Sequence, residues 1–230
     1  MAEQRRVALV TGGAKRVGRG IVERLQKGGF DVAFTYHSSR EQAKELTNCL
    51  AIQADLTQPE PACGAIFDSV SKRFGRLDVL VNSASIYSPG DQKLKQMMAI
   101  HVESPLLLCR KFGPTLRKNR GHVINMVDLL AERPWPEYAA YCSSKAALWN
   151  LTLSLARDLA PEVTVNGIAP GVVEWPDDYP EAERQKYLQR VPLRRPGAPE
   201  DVANLVHFLA TEGSYITGQI VRLDGGRSIT

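Results

Sequence analysis

Cysteine and histidine are scarce in this sequence, and long apolar runs are absent from it. The chain has four cysteines and four histidines in 230 residues, and no two cysteines have a Cys-x-x-Cys spacing. This pattern argues against a disulfide framework and against a zinc site, so we expect no bound metal and reduced thiols in a cytoplasmic protein. No apolar run approaches the ~20 residues of a membrane span, and residues 1–6 lack the apolar stretch of a secretory signal.

An excess of charge of one sign is also missing. The 29 lysines and arginines and the 25 aspartates and glutamates give a net charge of +4, and no basic run is longer than two residues. We therefore expect no nucleic-acid partner and no membrane partner, although the mild positive balance suits small anionic ligands. The 18 glycines and 14 prolines are scattered, which excludes disordered and collagen-like chains. The length is typical of a single domain, here 1–230.

Short apolar or β-branched runs alternate along the chain with segments that are long enough for helices. One such segment places Ala62, Ile66 and Val70 at helical spacing and ends at Gly75, a typical residue at the C-terminus of a helix. Nearly continuous apolar strands that alternate with helices indicate a parallel sheet covered on both faces. The expected fold class is therefore α/β, a single Rossmann-like, doubly wound and mostly parallel sheet with helices on both faces. The predicted strands are 7–10, 32–36, 77–81, 122–127, 163–168 and 219–223.

A glycine-rich turn follows the first predicted strand and precedes a predicted helix. The turn covers residues 11–20, and the helical run 21–27 comes next. Glycines allow the backbone to approach phosphate groups closely, and the N-terminus of the helix presents unpaired N–H groups to them. We therefore predict a site for the pyrophosphate of a dinucleotide. Its expected contacts are Gly12, Arg16, Val17 and Gly18.

The residues after the second predicted strand indicate which dinucleotide binds. NAD-binding proteins usually have an acidic residue there for the ribose hydroxyls, but this chain has His37, Ser38, Ser39 and Arg40. Hydroxyls and cations would bind a 2′-phosphate, and Arg16 could reach the same place from the glycine-rich turn. The predicted cofactor is therefore NADPH (NADP). Which of these five side chains dominates phosphate binding stays open.

Tyr141 and Lys145 are candidate catalytic residues. They are four residues apart at the start of a predicted helix, so both side chains project from one face about 5–6 Å apart. Because a nearby ammonium stabilises a phenolate, we expect Lys145 to lower the pKa of Tyr141. The pair follows a buried strand, in the half of the sheet where open α/β folds bind substrate. Tyr141 is therefore predicted to transfer a proton.

These motifs together resemble the short-chain dehydrogenase/reductase family. The other motifs of the family are matched by Asp55 after the third strand, Asn82-Ser83-Ala84-Ser85 after the fourth and Pro170-Gly171 after the sixth. The resemblance also implies a homotetramer assembled through helices that contain 106–112 and 148–159, although the apolar residues there equally suit the core. The further cofactor contacts that it implies are Asp55, Leu56, Asn82, Ala84, Ser85, Tyr141, Lys145, Pro170, Gly171 and Val172.

Two positions depart from the family pattern. Asp128 stands thirteen residues before Tyr141, where the family usually has Ser, and His101 stands in place of an Asn. A hydroxyl can donate to a carbonyl oxygen that gains negative charge, whereas an ionised carboxylate would repel that oxygen. Asp128 therefore favours reduction of a C=N bond over reduction of a ketone. Whether Asp128 acts as an anion or as a neutral donor stays open, and it could instead cap the next turn.

The Asp in place of Ser, the glycine-rich turn and the aromatic residue after Asn82–Ser85 resemble the pteridine reductase branch of the family. This resemblance implies NADPH-dependent reduction of a pterin or folate ring, with Asp128, Tyr141 and Lys145 as catalytic residues. The alternatives are a carbonyl reductase of the 3-oxoacyl type and, more remotely, a non-catalytic NADP-sensing protein. The implied substrate contacts are Arg16, Ser85, Tyr87, Asp128, Tyr138 and Tyr141, with Tyr87 stacked on the pterin. The expected substrate loop is 172–197, which contains Trp175, Pro176, Tyr179 and Tyr187.

Overall fold

The computed structural model describes residues 5–175 and 179–230, so Pro176 of the expected substrate loop lies outside the described residues. Within them, seven parallel strands form one sheet in the order β3-β2-β1-β4-β5-β6-β7. The strands are β1 (Val7–Val10), β2 (Asp31–Tyr36), β3 (Cys49–Gln53), β4 (Val79–Asn82), β5 (His122–Met126), β6 (Thr164–Pro170) and β7 (Ile220–Leu223).

The helices lie between the strands, as the sequence predicts. No helix in the described part of the chain is both long and apolar enough to cross a membrane. The α-helices are α1 (Arg16–Lys27), α2 (Arg40–Glu45), α3 (Pro59–Phe74), α4 (Leu94–Met98), α5 (Ser104–Lys118), α6 (Ala139–Leu159), α7 (Glu181–Leu188) and α8 (Pro199–Thr211). A π-helical turn covers Ala99–Glu103, and 3-10 turns cover Leu129–Ala131 and Arg227–Ile229.

Strand β1 shows why helices cover both faces of the sheet. Successive side chains of a strand point to opposite faces. Val7 and Leu9 pack in one core cluster with residues of α3, α5 and α6, whereas Ala8 and Val10 pack in another with residues of α1 and α8. All four side chains are buried, which explains why the strand is a continuous apolar run. The predicted Rossmann-like fold class is confirmed.

The sequence pattern misses strand β3, although it predicts the other six strands to within two residues at most boundaries. Strand β3 is an edge of the sheet and pairs with β2 alone. Of its five residues only Ile52 is buried, because one side of an edge strand lies open to solvent. A strand of this kind does not show the continuous apolar run by which the buried strands are recognised.

Helix α3 ends where its sequence predicts. Gly75 follows it with a φ of +65°, and its N–H donates to the carbonyl of Ser71 at 2.9 Å. This left-handed conformation is the one that a side chain disfavours and glycine adopts freely. The helix therefore ends at Phe74, before the chain enters β4.

The order of the strands creates a crevice between β1 and β4. From this pair, the chain builds β2 and β3 on one side and β5 to β7 on the other, and ligands of open α/β sheets bind at such a point. The hydroxyl oxygen of Thr11 after β1 accepts from the N–H groups of Ser83 and Ala84 after β4, at 2.9 and 3.1 Å. The turns that carry the predicted site are thereby tied together at one edge of the sheet.

Candidate functional site

The glycine-rich turn forms a cradle that side chains would fill. At Gly12, which has a φ of +70°, an added Cβ would lie 2.8 Å from the Cα of Ala84. At Gly18 an added Cβ would lie 2.1 Å from the carbonyl oxygen of Gly12. Lys15, at the N-cap of α1, has no side-chain acceptor for the first N–H groups of the helix. The turn therefore leaves backbone donors of the kind that bind a phosphate.

Arg16 reaches a different neighbour from the one its sequence position suggests. It has a φ of +52°, and its Nε lies 3.3 Å from Oε2 of Glu174. Glu174 belongs to the expected substrate loop, so the ion pair joins the glycine-rich turn to the segment that follows β6. Both side chains are about half exposed, which makes the pair weak enough for another anion to replace the glutamate.

The residues predicted to select the 2′-phosphate follow β2, as expected. His37 Nε2 lies 3.9 Å from Oδ2 of Asp55, which follows β3. Hydrogen bonds from the hydroxyl and the N–H of Thr57 hold the pKa of Asp55 below its usual value. Ser39 and Arg40 stand at the start of α2. The predicted dinucleotide contacts from β2 and β3 thus lie next to one another, while Arg16 is engaged with Glu174.

Asn82, at the end of β4, has a buried acceptor that the described residues leave unsatisfied. Its Nδ2 donates to Oδ1 of Asn125 at 2.8 Å, and Asn125 in turn donates to Oγ1 of Thr152 at 2.9 Å. Its own Oδ1 has no partner in the described residues. Leaving such an atom unpaired costs about 1–3 kcal/mol. A bound ligand with a hydroxyl or N–H at the crevice would remove that cost.

Other residues predicted to contact the cofactor already make hydrogen bonds or close contacts within the protein. Leu56 is buried in the core, and its carbonyl accepts from Ser104 Oγ at 3.2 Å. The N–H of Val172 donates to the hydroxyl of Tyr187, and its carbonyl accepts from the N–H of Gly197. Gly171 lies against Asp224, where an added Cβ would be 3.1 Å from that residue's Cα. The chain after β6 is therefore held close to the crevice.

Asp128 and Tyr141 form the central pair of the site. Tyr141, in the first turn of α6, donates from its hydroxyl to Oδ2 of Asp128 at 2.7 Å. The other carboxylate oxygen accepts from the N–H of Leu130 at 2.8 Å and caps the 3-10 turn Leu129–Ala131. The contact with Tyr141 and the capping of the turn therefore coexist, because each oxygen atom makes one of them.

Burial determines the proton affinity of this pair. Burial, opposed by the hydrogen bonds from Leu130 and Tyr141, raises the pKa of Asp128. Burial and the neighbouring Asp128 together raise the pKa of Tyr141 well above its usual value. The expected lowering of the Tyr141 pKa is therefore wrong in its net direction, since desolvation and the carboxylate of Asp128 dominate. Tyr141 is a protonated donor at neutral pH.

Lys145 lies one helical turn beyond Tyr141 and is itself buried. Its Nζ donates to the carbonyl of Met126 at 2.7 Å and lies 5.8 Å from the centre of the Tyr141 ring. Burial lowers the pKa of Lys145 to about 8, and the carboxylate of Asp128 opposes this shift. The ammonium is thus held by backbone and by charge beside the tyrosine, as the four-residue spacing predicts.

A series of aromatic rings leads from the tyrosine to the expected substrate loop. Tyr87 stacks on Tyr138, with ring centres 4.8 Å apart and planes 16° apart, and meets the edge of Tyr141 at 4.9 Å. Tyr87 is nearly half exposed, so part of its ring surface is free for a ligand. The series continues through Trp135, Tyr187, Trp175 and Tyr179, whose neighbouring ring centres are 4.8 to 6.4 Å apart.

Sequence reasoning misses Trp135 and Ser144 and leaves His101 without a role. His101 Nδ1 lies 2.8 Å from Ser144 Oγ, and its Nε2 lies 2.9 Å from Ser85 Oγ. Ser144 stands three residues after Tyr141, which places it near the same helix face. That spacing is the only signal in the sequence that could have pointed to it.

The family model described as enoyl-(acyl carrier protein) reductase matches residues 12–228. With the parallel sheet and the Tyr141–Lys145 spacing, this match shows that the chain belongs to the short-chain dehydrogenase/reductase family. It is therefore an oxidoreductase that depends on a nicotinamide cofactor.

Its relatives have different substrates. It is 32% identical to pteridine reductase 1 of Leishmania tarentolae over 97% of this chain and 96% of that protein. It is 35% identical to L-2,3-butanediol dehydrogenase of Corynebacterium glutamicum, over 96% and 98% of the two chains. It is 33% identical to a 3-oxoacyl-acyl-carrier-protein reductase of Staphylococcus aureus, over 95% and 96%. These similarities establish the class of enzyme. They do not identify its substrate, which has to be inferred from the site.

Proposed function

We propose that this protein uses NADPH to reduce a C=N bond in the ring of a pterin or folate. The observation that carries the proposal is the hydrogen bond of 2.7 Å between Tyr141 and Asp128. While it is ionised, a buried carboxylate at this position would oppose the negative charge that develops on a ketone oxygen. It is compatible with a substrate nitrogen that accepts a proton. The similarity to a pteridine reductase supports the same substrate class.

Several groups at the crevice support the proposed binding of NADPH. The cradle of Gly12 and Gly18 and the N-terminus of α1 would hold the pyrophosphate, and Asn82 Oδ1 would accept from the ligand. His37, Ser38, Ser39 and Arg40 would hold the 2′-phosphate, with Lys145 at the nicotinamide ribose. Bound NADPH would supply the hydride.

Tyr141 would supply the proton. Its raised pKa keeps the hydroxyl protonated at neutral pH, so it can donate to the ring nitrogen beside the carbon that receives hydride. Asp128, whose raised pKa brings it nearer to neutrality, can then return a proton from solvent to the tyrosine. The reduction of each C=N bond consumes one hydride and one proton.

The aromatic series would select a flat substrate. The exposed part of the Tyr87 ring, which stacks on Tyr138 and contacts the ring of Tyr141, would offer a π surface to the substrate. Trp175 and Tyr179 would close the site from the loop. A flat heteroaromatic ring gains both buried area and offset stacking in such a place. Ser85 and Arg16 would bind its polar edge.

The proposal is tested by offering three substrates in parallel and following NADPH oxidation optically. We expect turnover with 7,8-dihydrobiopterin or dihydrofolate and none with an acetoacetyl thioester. The same assay with NADH is expected to give a much lower kcat/KM. Turnover of the thioester alone would refute the proposal and favour a carbonyl reductase, the alternative that the 3-oxoacyl reductase relative supports.

Lys145 gives the proposed reaction a pH dependence. Its pKa of about 8 means that the ammonium is present below that pH and is lost above it. We expect kcat/KM to fall as the pH rises through about 8, because the neutral amine binds the ribose hydroxyls less strongly. In Lys145→Arg the guanidinium stays charged, so the alkaline decline should move to higher pH. A decline that is unchanged in this variant would contradict the assignment.

The predicted homotetramer stays a prediction, as does the single domain over 1–230. Among the apolar side chains of 106–112 and 148–159, Leu108, Phe112, Leu148 and Leu155 are buried in the core, while Leu153 is exposed.

A further inference from the structure

His101 connects three separate parts of the site. It lies in the π-helical turn Ala99–Glu103 and is almost fully buried. Its Nε2 lies 2.9 Å from Ser85 Oγ and 3.3 Å from the N–H of Ile86, both after β4, and its Nδ1 lies 2.8 Å from Ser144 Oγ on α6. The ring therefore bridges the end of β4 to the helix that carries Tyr141.

The contacts of Ser144 determine which ring nitrogen carries hydrogen. The hydroxyl hydrogen of Ser144 is donated to the carbonyl of Tyr141 at 2.7 Å. A hydroxyl has one hydrogen, so towards His101 Ser144 can only accept. The Nδ1 atom of His101 must therefore carry the hydrogen. Burial lowers the pKa of His101 to about 2, so the ring is neutral and Nε2 is left without a hydrogen.

The contacts of Nε2 lead independently to the same tautomer. The backbone N–H of Ile86 can only donate, and it points to Nε2. Two lone pairs at 2.9 Å would repel each other, so the hydroxyl of Ser85 must also donate to Nε2. Its one hydrogen is thereby committed to the histidine. The Ser85 hydroxyl also lies within hydrogen-bonding reach of Tyr141, but with its hydrogen committed to the histidine it presents lone pairs alone to the crevice.

We propose that His101 is a positioning residue that fixes the direction of the Ser85 hydroxyl and makes Ser85 an acceptor for an N–H group of the substrate. The substrate class rests on the proposed function, since the amino group and ring N–H groups of a pterin are donors of this kind. A substrate that presents only a carbonyl oxygen at this point would meet another oxygen without a hydrogen between them. His101 thus influences the choice of substrate through Ser85, without contacting the substrate itself.

The tautomer can be measured without any substrate. In protein labelled with 15N-histidine, long-range 15N–1H spectra separate the two neutral tautomers and the cation. The chain has four histidines, and His101→Gln assigns the signal. We expect a neutral ring with hydrogen on Nδ1 from pH 5 to pH 8. An Nε2-protonated ring, or a ring that titrates in this range, would overturn the proposal whatever the substrate is.

Two substitutions at His101 separate its contact with Ser85 from its contact with Ser144. The amide of Gln reaches the position of Nε2 and can accept from Ser85, whereas the shorter amide of Asn reaches Nδ1 and retains Ser144. With 7,8-dihydrobiopterin we expect both His101→Asn and Ser85→Ala to raise KM about tenfold, and His101→Gln to stay within about threefold of the wild type. Equal losses in the Gln and Asn variants would contradict a role through Ser85.

A double variant distinguishes positioning from a general structural role. If His101 acts through Ser85, Ser85→Ala combined with His101→Asn should cost no more than Ser85→Ala alone. Multiplying losses would overturn the proposal. A wild-type protein that does not reduce dihydrobiopterin would refute the proposed function instead, and the NMR measurement would still decide the tautomer.

Discussion

Replacing Tyr141 by Phe is expected to lower kcat about 10²- to 10⁴-fold, the usual contribution of a positioned proton donor. Phe keeps the ring that contacts Tyr87 and His101 and removes only the hydroxyl that donates to Asp128. The affinity for NADPH should therefore change little. The measurements are kcat for the reduction of dihydrobiopterin and the Kd of NADPH from its fluorescence.

The same exchange at Tyr215 is the matched control. Tyr215 is fully exposed, so Tyr215→Phe should leave both kcat and Kd unchanged. If Tyr141→Phe retained more than half of the wild-type turnover, the proton would come from another group and our mechanism would be wrong. If the variant lost NADPH binding together with turnover, the hydroxyl would serve the cofactor rather than the reaction.

Replacing Asp128 by Ser is expected to change the type of substrate. The hydroxyl can donate to a developing oxyanion, which the buried carboxylate cannot do while it is ionised. We expect reduction of dihydrobiopterin to fall about 10²-fold and reduction of an acetoacetyl thioester to become measurable. The ratio of the two kcat/KM values is the quantity to compare. An unchanged ratio would show that Asp128 does not determine the substrate.

Asp128→Asn removes the charge of the side chain and keeps its shape. We expect this variant to lose activity and to gain stability. Burial raises the folded-state pKa of Asp128 above the unfolded value of ~3.9. The aspartate therefore contributes its stability at low pH and loses it as the pH rises through the folded-state pKa. The Asn variant should be less active, yet have a higher thermal midpoint than the wild type at pH 7. This difference should vanish near pH ~4, and a constant difference would argue against the raised pKa.

Much of the fold could be predicted because the relevant signals are local. The buried strands are continuous apolar runs, and Gly75 marks the end of α3. Strand β3 could not be found in this way, because its position at the edge of the sheet, rather than its composition, makes it a strand. Its only partner is β2, and pairing between strands is not visible in the residues of one of them.

The site was predictable where its residues lie at fixed offsets. Tyr141 and Lys145 follow from their spacing along one helix, and Asp128 from its offset in the family pattern that the chain resembles. The bridge from Ser85 through His101 to Ser144 was not predictable, since His101 and Ser144 are 43 residues apart. Nor was the direction of the Tyr141 pKa, because spacing identifies the neighbours of a group and says nothing about how deeply all of them are buried.

Because of the aromatic series, the tryptophan fluorescence of this protein is sensitive to the crevice. Two of its three tryptophans, Trp135 and Trp175, contact the tyrosines that line the crevice. The third, Trp149, lies apart from them under the guanidinium of Arg222. Tryptophan emission is therefore weighted towards the crevice. A change in it on mixing with a small molecule reports first on what enters that crevice, and only secondarily on the state of the fold.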